Sequence, residues 1–358
     1  MNKISVIQII DSLNTGGAEV LAVNIANGLS EQKIDSHLCV TRKEGLLKDN
    51  INSDVGYVFL NRKKTVDFAA ILKLHQYIKR NNISIVHAHS TSSFIAICIK
   101  FLNPGIKIVW HDHFGNSEFL SHRNAFWLQL FSYFFSVIIA VNENLKNWSI
   151  NKLHTGKVYF IRNFPVFNNQ NKVTYLKGID DKRIVHLAGF RAQKDHLNLL
   201  KAFLIVLEKN SDWTLHLVGK SYKDDYSDSI NKFIEDNNLS NKVFHYGICN
   251  DVQHILTQAS IGVLSSKSEG LPISLLEYGL ANIPAVVTDV GDCNLIIKDS
   301  NFIVPPSNNA ILAKGLILLI SSAEKRKKLA LEMNNIIKLN FSKKETILKL
   351  ISIYQKEC

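Results

Sequence analysis

Residues 261–280 read IGVLSSKSEGLPISLLEYGL, an apolar run followed by a polar segment containing glycine and then a helical pattern. The run 261–266 predicts a buried strand, and 266–270 predicts a loop. Pro272 is expected at an early helical position, where its missing N–H costs nothing. Backbone N–H groups and the positive end of the helix dipole would then converge at one place, which predicts a site for a phosphate-bearing ligand.

Two carboxylates, Glu269 and Glu277, bracket the start of this helix. Ile273, Leu276 and Leu280 recur at spacings of three and four and predict one apolar helix face, with Glu277 beside it. Both acids could therefore face one ligand. The alternative is that Glu269 is a solvated loop acid and that Glu277 only stabilises the N-terminal half of the helix, where negative charge is favourable. If only one glutamate were present, that alternative would be preferred.

Apolar runs alternate with helical patterns through both halves of the chain, which predicts an α/β fold with two doubly wound, Rossmann-like parallel sheets. The polar segment Asn163–Lys177, which contains Pro165, interrupts this alternation and is the predicted linker. We expect a first domain over 1–165, a second over 166–340, and a last helix over 341–358 that packs back on the first. Because ligands of such sheets bind at the carboxyl ends of the strands, a cleft between two facing domains is the expected site.

The composition limits the classes of protein and partner. The 358 residues carry a net charge of +11, and residues 1–170 hold 18 Lys and Arg against 11 Asp and Glu. No zinc finger, recognition helix or aromatic-interleaved basic segment supports nucleic-acid binding. The five cysteines form no CxxC pair, and the chain opens directly on a strand-like run, so we expect a reduced, cytoplasmic protein. The most apolar stretch, Phe126–Val141, is too short for a bilayer and is expected to be a buried helix followed by a strand.

Two turns between a strand and a helix carry candidate ligand-binding residues. Gly16 and Gly17 stand where the first strand turns into its helix, and they allow close backbone approach, although a tight turn needs glycine equally. This turn is not GxGxxG, which disfavours a nicotinamide cofactor. In the second half, Gly189 leads into Arg191 and Lys194, a planar fork and a mobile point charge suited to a diphosphate. Either cation alone would more often lie on the surface.

Histidines occur in two pairs, His87 with His89 and His111 with His113, each at a predicted strand end. The i, i+2 spacing places both rings of a pair on one side of a strand. A zinc site is one interpretation, but no HExxH, cysteine pair or suitably spaced carboxylate supports it. Hydrogen bonding to a sugar or phosphate is favoured, and a backbone-satisfied core histidine remains an alternative for His87.

Taken together, the sequence resembles the family 4 glycosyltransferases, the retaining group with the GT-B fold, over nearly its whole length. The resemblance rests on the turn 15–19 (TGGAE), the histidine-containing strand ends, the run 161–163 (IRN), Gly189-Phe190-Arg191 followed by Lys194, and the E-x7-E pattern from Glu269 to Glu277. One departure is Cys293-Asn294-Leu295, which follows Val290-Gly291-Asp292 where relatives often have an acid, so a role for that loop is in doubt.

The resemblance implies a role for each matching residue. Arg191 and Lys194 would hold the donor diphosphate, Glu277 the ribose, and Glu269 the donor sugar. His111 or His113 would lie beside the reacting carbon, and which of them does so stays open. The other implied donor-binding residues are Gly16, Gly17, Gly189, Ser266, Gly270 and Leu271, and the implied acceptor-binding residues are His87, His89 and Asn163.

The implied reaction is transfer of a sugar, with retention, from a UDP-sugar or GDP-sugar to a saccharide or polyprenyl-diphosphate-linked acceptor in bacterial surface polysaccharide synthesis. Neither a metal nor another cofactor is expected. Phe114, Phe119 and Trp127 suggest peripheral contact with the inner face of the cytoplasmic membrane, although helix core is the commoner role for such residues. The alternatives are a sugar-nucleotide 2-epimerase or phosphorylase of similar architecture, and a non-catalytic nucleotide-sugar binding subunit.

Overall fold

A computed structural model describes residues 4–14, 16–115, 119–167 and 172–358. The chain divides into two compact units, residues 1–164 with 343–358, and residues 165–342. These limits differ by one or two residues from the predicted domain boundaries. Thr15 of the predicted glycine turn and part of the predicted linker lie outside the described residues.

The first unit is a parallel sheet with helices on both faces. Its strands are β1 Ser5–Ser12, β2 Asp35–Lys43, β3 Gly56–Phe59, β4 Ile85–His89, β5 Lys107–Asp112, β6 Val137–Ala140 and β7 Val158–Phe160. Its helices are α1 Gly17–Glu31, α2 Phe68–Arg80, α3 Ser93–Leu102, α4 Phe126–Ser132, α5 Glu143–Lys152 and, from the end of the chain, α12 Lys343–Glu357. Among the described residues the strand order is β3-β2-β1-β4-β5-β6-β7, so the order reverses between β1 and β4.

The second unit repeats this plan. Its strands are β8 Arg183–Leu187, β9 Thr214–Val218, β10 Val243–His245, β11 Ile261–Leu264, β12 Ala285–Thr288 and β13 Ile303–Val304. Its helices are α6 His196–Leu207, α7 Asp225–Asp236, α8 Val252–Thr257, α9 Ile273–Leu280, α10 Asn309–Ile320 and α11 Ala323–Asn340. The order β10-β9-β8-β11-β12-β13 reverses between β8 and β11, and the reversal point of such a sheet is where ligands usually bind.

The last helix, α12, belongs to the first unit although the second unit precedes it in the chain. Gly28 of α1 makes room for it, because a Cβ atom there would lie only 2.6 Å from Cγ1 of Ile347. An ion pair of 2.6 Å between Lys343 and Glu31 adds to this packing.

Two local predictions were wrong. Pro272 is not inside the helix but is the residue before it, with a ψ of 123°, and α9 begins at Ile273. The helix α4 is not buried, since Phe126 and Trp127 are 60% and 66% exposed, although the strand after it is buried as expected. In the described residues no helix is both long and apolar enough to cross a bilayer.

Candidate active site

A lysine and a glutamate meet in the second unit, where two neighbouring strands end. Lys194 Nζ donates to Glu269 Oε1 at 2.5 Å, and Ser266 Oγ donates to the same oxygen at 2.6 Å. The Glu269 side chain is 6% exposed and that of Lys194 is 18% exposed. The structure therefore brings these three predicted residues together, and Glu269 is not a solvated loop acid.

Backbone geometry fixes both loops that carry these residues. Lys194 follows β8 and Glu269 follows β11, so the pair lies at the reversal point of the sheet. Ser265 Oγ donates to the carbonyl of Lys194 at 2.9 Å, and the Lys267 amide donates to the carbonyl of Gln193 at 2.7 Å. Because these bonds run from one loop to the other, the Lys194–Glu269 distance does not depend on the side chains alone.

The second predicted cation, Arg191, is exposed and lies against a tyrosine. Its Nε and Nη2 donate to the Tyr222 hydroxyl at 3.1 and 2.8 Å. The remaining guanidinium nitrogen and the exposed face can meet a ligand without breaking a buried contact. Tyr222 orients the guanidinium of Arg191 through these two hydrogen bonds. It was not predicted, because no sequence motif includes this tyrosine.

Glu277 lies one turn inside α9 and is partly buried. Desolvation raises the pKa of its carboxyl to about 8, so in the absence of ligand it is mostly protonated at pH 7. No hydrogen bond from the described residues reaches this carboxyl group, which leaves its oxygens available to ligand hydroxyl groups.

The loop after β12 packs directly on the Glu269 loop. The Asp292 amide donates to the carbonyl of Gly270 at 2.8 Å. Gly291 has a φ of +55°, and a Cβ atom there would lie 2.2 Å from that same carbonyl oxygen. This explains the glycine at 291 and gives the loop a supporting position, whereas Cys293 is buried and faces the core.

Of the predicted glycine turns, only the first lies at the start of an α-helix, since Gly189 precedes α6 by seven residues. Gly16 precedes α1 without a side-chain cap, and Gly17 is its exposed first residue. Glu19 lies in the first turn of the same helix, so a negative group already occupies the neighbourhood that an anion would favour. A Cβ atom on Gly189 would make only an ordinary contact of 3.4 Å with the Lys220 carbonyl, so sterics alone do not require glycine there.

Four histidines of the first unit form one stack. The ring centroids of His87 and His89 are 4.7 Å apart and those of His111 and His113 are 4.2 Å apart, which confirms that each pair shares a side of its strand. His87, His89 and His111 lie within β4 and β5 rather than after them, and only His113 follows its strand. His113 is also the only one of the four that is partly exposed.

Side chains rather than backbone groups form the hydrogen bonds of the stack, and Nε2 of His111 is buried with no partner among the described residues. His87 bonds to the Tyr354 hydroxyl of α12 at 2.6 Å and to His111 at 3.2 Å. His89 bonds to His113 and, across the β1–β4 reversal, to Gln8, each at 2.9 Å. His87 is a buried core histidine, as the alternative had it, but its partners are side chains and not backbone groups. Tyr354 and Gln8 were missed because nothing in the sequence places them beside residue 87.

Burial lowers the pKa of every histidine in the stack, and the pKa values of His87 and His113 fall to about 3. Desolvation is the largest cause for each. The rings are therefore neutral at physiological pH, and each can donate from one nitrogen and accept at the other.

Three of these histidines, His87, His89 and His111, place ligand nitrogens within 4.8 Å of one another. Their ring planes are 9° to 28° from parallel. An imidazole binds a metal in the plane of its ring, so stacked rings do not aim their lone pairs at one point, and several nitrogens already have partners. This arrangement fits a neutral hydrogen-bonded stack better than a tetrahedral zinc centre. Metal independence stays a prediction.

The remaining predicted acceptor residue, Asn163, is buried just after the edge strand β7, two strands away from β5. Of the aromatic candidates, Phe114 is partly buried beneath Arg123, whose guanidinium lies 4.4 Å from the ring centroid. Phe119 and Trp127 are 51% and 66% exposed and do not belong to the core.

Comparison with known families agrees with this division into two units. The family described as Glycosyltransferase Family 4 matches residues 15–164, and the family described as Glycosyl transferases group 1 matches residues 168–333. Each match lies in one unit, and together they cover most of the chain.

Two relatives from Escherichia coli are similar over most of their length. The O-antigen biosynthesis glycosyltransferase WbnH is 24% identical over 313 residues, covering 85% of this chain and 86% of that protein. The UDP-Gal:alpha-D-GlcNAc-diphosphoundecaprenol alpha-1,3-galactosyltransferase is 23% identical over 321 residues, covering 83% and 82%.

Solved structures share the fold. Anabaena HepE in complex with UDP and glucose has a TM-score of 0.80 at 15% identity, covering 99% of this chain and all of that one. Staphylococcus aureus TarM, crystallised with UDP among its ligands, has a TM-score of 0.78 at 13% identity, with the same coverage. The chain belongs to glycosyltransferase family 4, is a glycosyltransferase of surface polysaccharide synthesis, and has the GT-B fold.

Proposed function

We propose that this chain transfers a sugar, with retention of configuration, from a UDP-sugar or GDP-sugar to a saccharide or polyprenyl-diphosphate-linked acceptor. The observation that carries the proposal is the Lys194–Glu269–Ser266 group at the reversal point of the second sheet. The names of the relatives support it, because one is a galactosyltransferase that uses UDP-Gal and a diphosphoundecaprenol-linked acceptor.

The basic residues match the charge that the reaction develops. Breaking the bond between the anomeric carbon and the donor oxygen leaves a nucleoside diphosphate with an added negative charge, and fixed cations stabilise that charge without a metal. Lys194 would turn from Glu269 towards the diphosphate, and Arg191 would bind it with the donors that Tyr222 leaves available. Fixed cations lower the barrier because they need little reorganisation during the reaction.

The acids serve the sugar and the ribose in this proposal. Glu269, beside the backbone of Gly270 and Leu271, accepts from donor-sugar hydroxyls, and its charge favours the oxocarbenium-like carbon of the transition state. Glu277 accepts from the ribose hydroxyls. The leaving diphosphate removes the acceptor proton, so no separate basic side chain is needed for that step.

The histidine stack offers one accessible member for the sugar. His113 is partly exposed, whereas His111 is fully buried behind it. We therefore assign contact with the reacting sugar to His113 and support of its ring to His89 and His111. His87, His89 and Asn163 are buried, so in this proposal they lie near the bound acceptor without contacting it directly. We also propose that the protein works in the cytoplasm, in peripheral contact with the membrane.

A donor screen tests the proposal. Stabilisation by UDP-, GDP-, ADP- and dTDP-sugars is measured as a thermal shift, and nucleotide release is then measured with the stabilising donor. We expect one UDP- or GDP-sugar to stabilise the protein, by about 2.7 kcal/mol at a hundredfold its Kd. We expect Glu269→Gln to slow nucleotide release about 10²–10³-fold. Lys201→Met, on the exposed surface of α6, is the matched control and should match the wild type.

The products separate the alternatives. A transferase gives a glycosylated acceptor whose anomeric configuration, read by NMR, matches that of the donor, and a chelator leaves the rate unchanged. Conversion of the donor without an acceptor would indicate an epimerase, and a requirement for inorganic phosphate would indicate a phosphorylase. Donor binding with no turnover of any acceptor would indicate a binding subunit and would contradict the proposal.

A further inference from the structure

The short helix α4 has large apolar side chains on its outward side. Phe126, Trp127 and Leu130 are 60%, 66% and 44% exposed, and Tyr133, just after the helix, is 65% exposed. At 100° per residue these four positions share one helical stripe. The polar Ser132 is buried instead, where its hydroxyl donates to the carbonyl of Gln129 at 2.6 Å and accepts from the His154 amide at 2.9 Å. Leu128 and Phe131 of the same helix pack on the core, so α4 is apolar on both sides, whereas an amphipathic helix on a protein core normally has a polar outer side.

This stripe extends onto the end of α3. Phe101 is 66% exposed, and its ring centroid lies 5.1 Å from that of Phe134, which follows α4 in the chain. We call Phe101, Phe126, Trp127, Leu130 and Tyr133 the aromatic face. Large aromatic side chains grouped in this way are uncommon on a surface that only water contacts.

A basic groove adjoins the aromatic face and shares one residue with it. A cavity of about 510 Å³ is lined by, among others, Lys107, Tyr133, His154, Lys157 and one acid, Glu357. The Tyr133 ring stacks on His154 with centroids 4.0 Å apart, so the groove begins where the aromatic face ends. Lys157 pairs with Glu357 at 2.9 Å, whereas no acid in the described part of the chain pairs with the exposed Lys107.

The outward aromatic stripe and the surplus positive charge together indicate which kind of partner binds this surface. Aromatic residues favour the boundary between lipid headgroups and acyl chains, and lysines beside them attract anionic headgroups. A second copy of this chain carries the same net charge of +11, and repulsion between two molecules of like net charge opposes self-association. We propose that the aromatic face and the basic groove dock this protein on an anionic phospholipid bilayer. This proposal rests on the proposed function, because it specifies the surface that makes the membrane contact proposed there. The docking itself does not require a bound nucleotide-sugar donor.

Flotation with vesicles tests the docking directly. The full chain is mixed with vesicles of phosphatidylcholine, alone or with roughly 30 mol% phosphatidylglycerol, at about 50 mM and about 500 mM salt. We expect the protein to float only with the anionic vesicles and less at high salt. The double variant Phe126→Ser/Trp127→Ser should bind at least about tenfold more weakly. Lys107→Gln should bind a few-fold more weakly and depend less on salt.

The matched control is Phe68→Ser on α2, which removes a 76% exposed phenylalanine outside the aromatic face and should float like the wild type. No flotation at low salt, or equal flotation of the double variant and the wild type, would overturn the docking proposal. So would a wild-type dimer that the double variant converts to a monomer, because the aromatic face would then be a protein interface. Nucleotide release from the donor should be the same for wild type and double variant, so a failure of the proposed chemistry is seen separately from a failure of docking.

Discussion

Replacing Tyr354 by phenylalanine tests how the last helix supports the histidine stack. The ring of Tyr354 is 1% exposed, and its hydroxyl makes the 2.6 Å hydrogen bond to Nδ1 of His87, which is fully buried. Phenylalanine keeps the packing and removes only the hydroxyl. His87 would then keep a buried nitrogen without its partner, and such a loss costs about 1–3 kcal/mol. We expect the free energy of unfolding of the first unit to fall by that amount.

Urea unfolding followed by tryptophan fluorescence measures this loss, because Trp110 is buried in the same unit. The midpoint should fall while the slope stays constant, since the change in exposed area is small. Tyr133→Phe is the matched control, because that side chain is 65% exposed, and its effect should stay within about 0.5 kcal/mol. If Tyr354→Phe and Tyr133→Phe unfold at the same urea concentration, the bond between α12 and His87 is not part of the native state.

Three further predictions concern charge and backbone at the two sites. Burial lowers the pKa of His87 to about 3, so between pH 6.5 and that value the unfolded chain binds a proton that the native state does not. The free energy of unfolding should therefore fall as the pH falls through this window, with about 1.4 kcal/mol per pH unit from this residue. Urea unfolding at each pH measures this fall. An unchanged stability from pH 7 to pH 5 would contradict this. Burial raises the pKa of Glu277 to about 8, so binding of the ribose to the ionised carboxylate should release close to one proton at pH 7. Calorimetry of UDP binding in buffers of different ionisation enthalpy measures this release. Glu277→Gln should abolish it, and an equal release from that variant would refute the assignment. Gly291→Ala should displace the Gly270 loop, since a Cβ atom at 291 would lie 2.2 Å from the Gly270 carbonyl oxygen, and should slow nucleotide release at least about tenfold. Gly156→Ala is the control and should match the wild type, because a Cβ atom at 156 meets nothing within 4 Å.

The alternation of apolar runs and helical patterns was enough to predict two parallel α/β units, because buried parallel strands and amphipathic helices have distinct periods. Short edge strands such as β3 and β13 were missed, since runs of four and two residues carry little periodic signal. The exposure of α4 could not be predicted either. A run of aromatic residues gives the same pattern whether it packs on a core or faces outwards.

The site was predictable where a local motif carried it. The spacing from Glu269 to Glu277 and the turn from Gly189 to Lys194 identified both loops of the second unit, and the structure joins them through Lys194 and Glu269. The supporting residues were not predictable. Tyr354 lies 267 positions from His87 in the chain, and only the return of α12 to the first unit brings the two together.

Calorimetric titration of UDP into the wild type and the double variant Arg191→Met/Lys194→Met tests most directly whether these two cations hold the donor diphosphate. Charged hydrogen bonds contribute about 1.5–3 kcal/mol each, so we expect the Kd to rise at least about a hundredfold in the double variant. A Kd within about twofold of the wild type, in a variant that unfolds at the same urea concentration, would contradict the account.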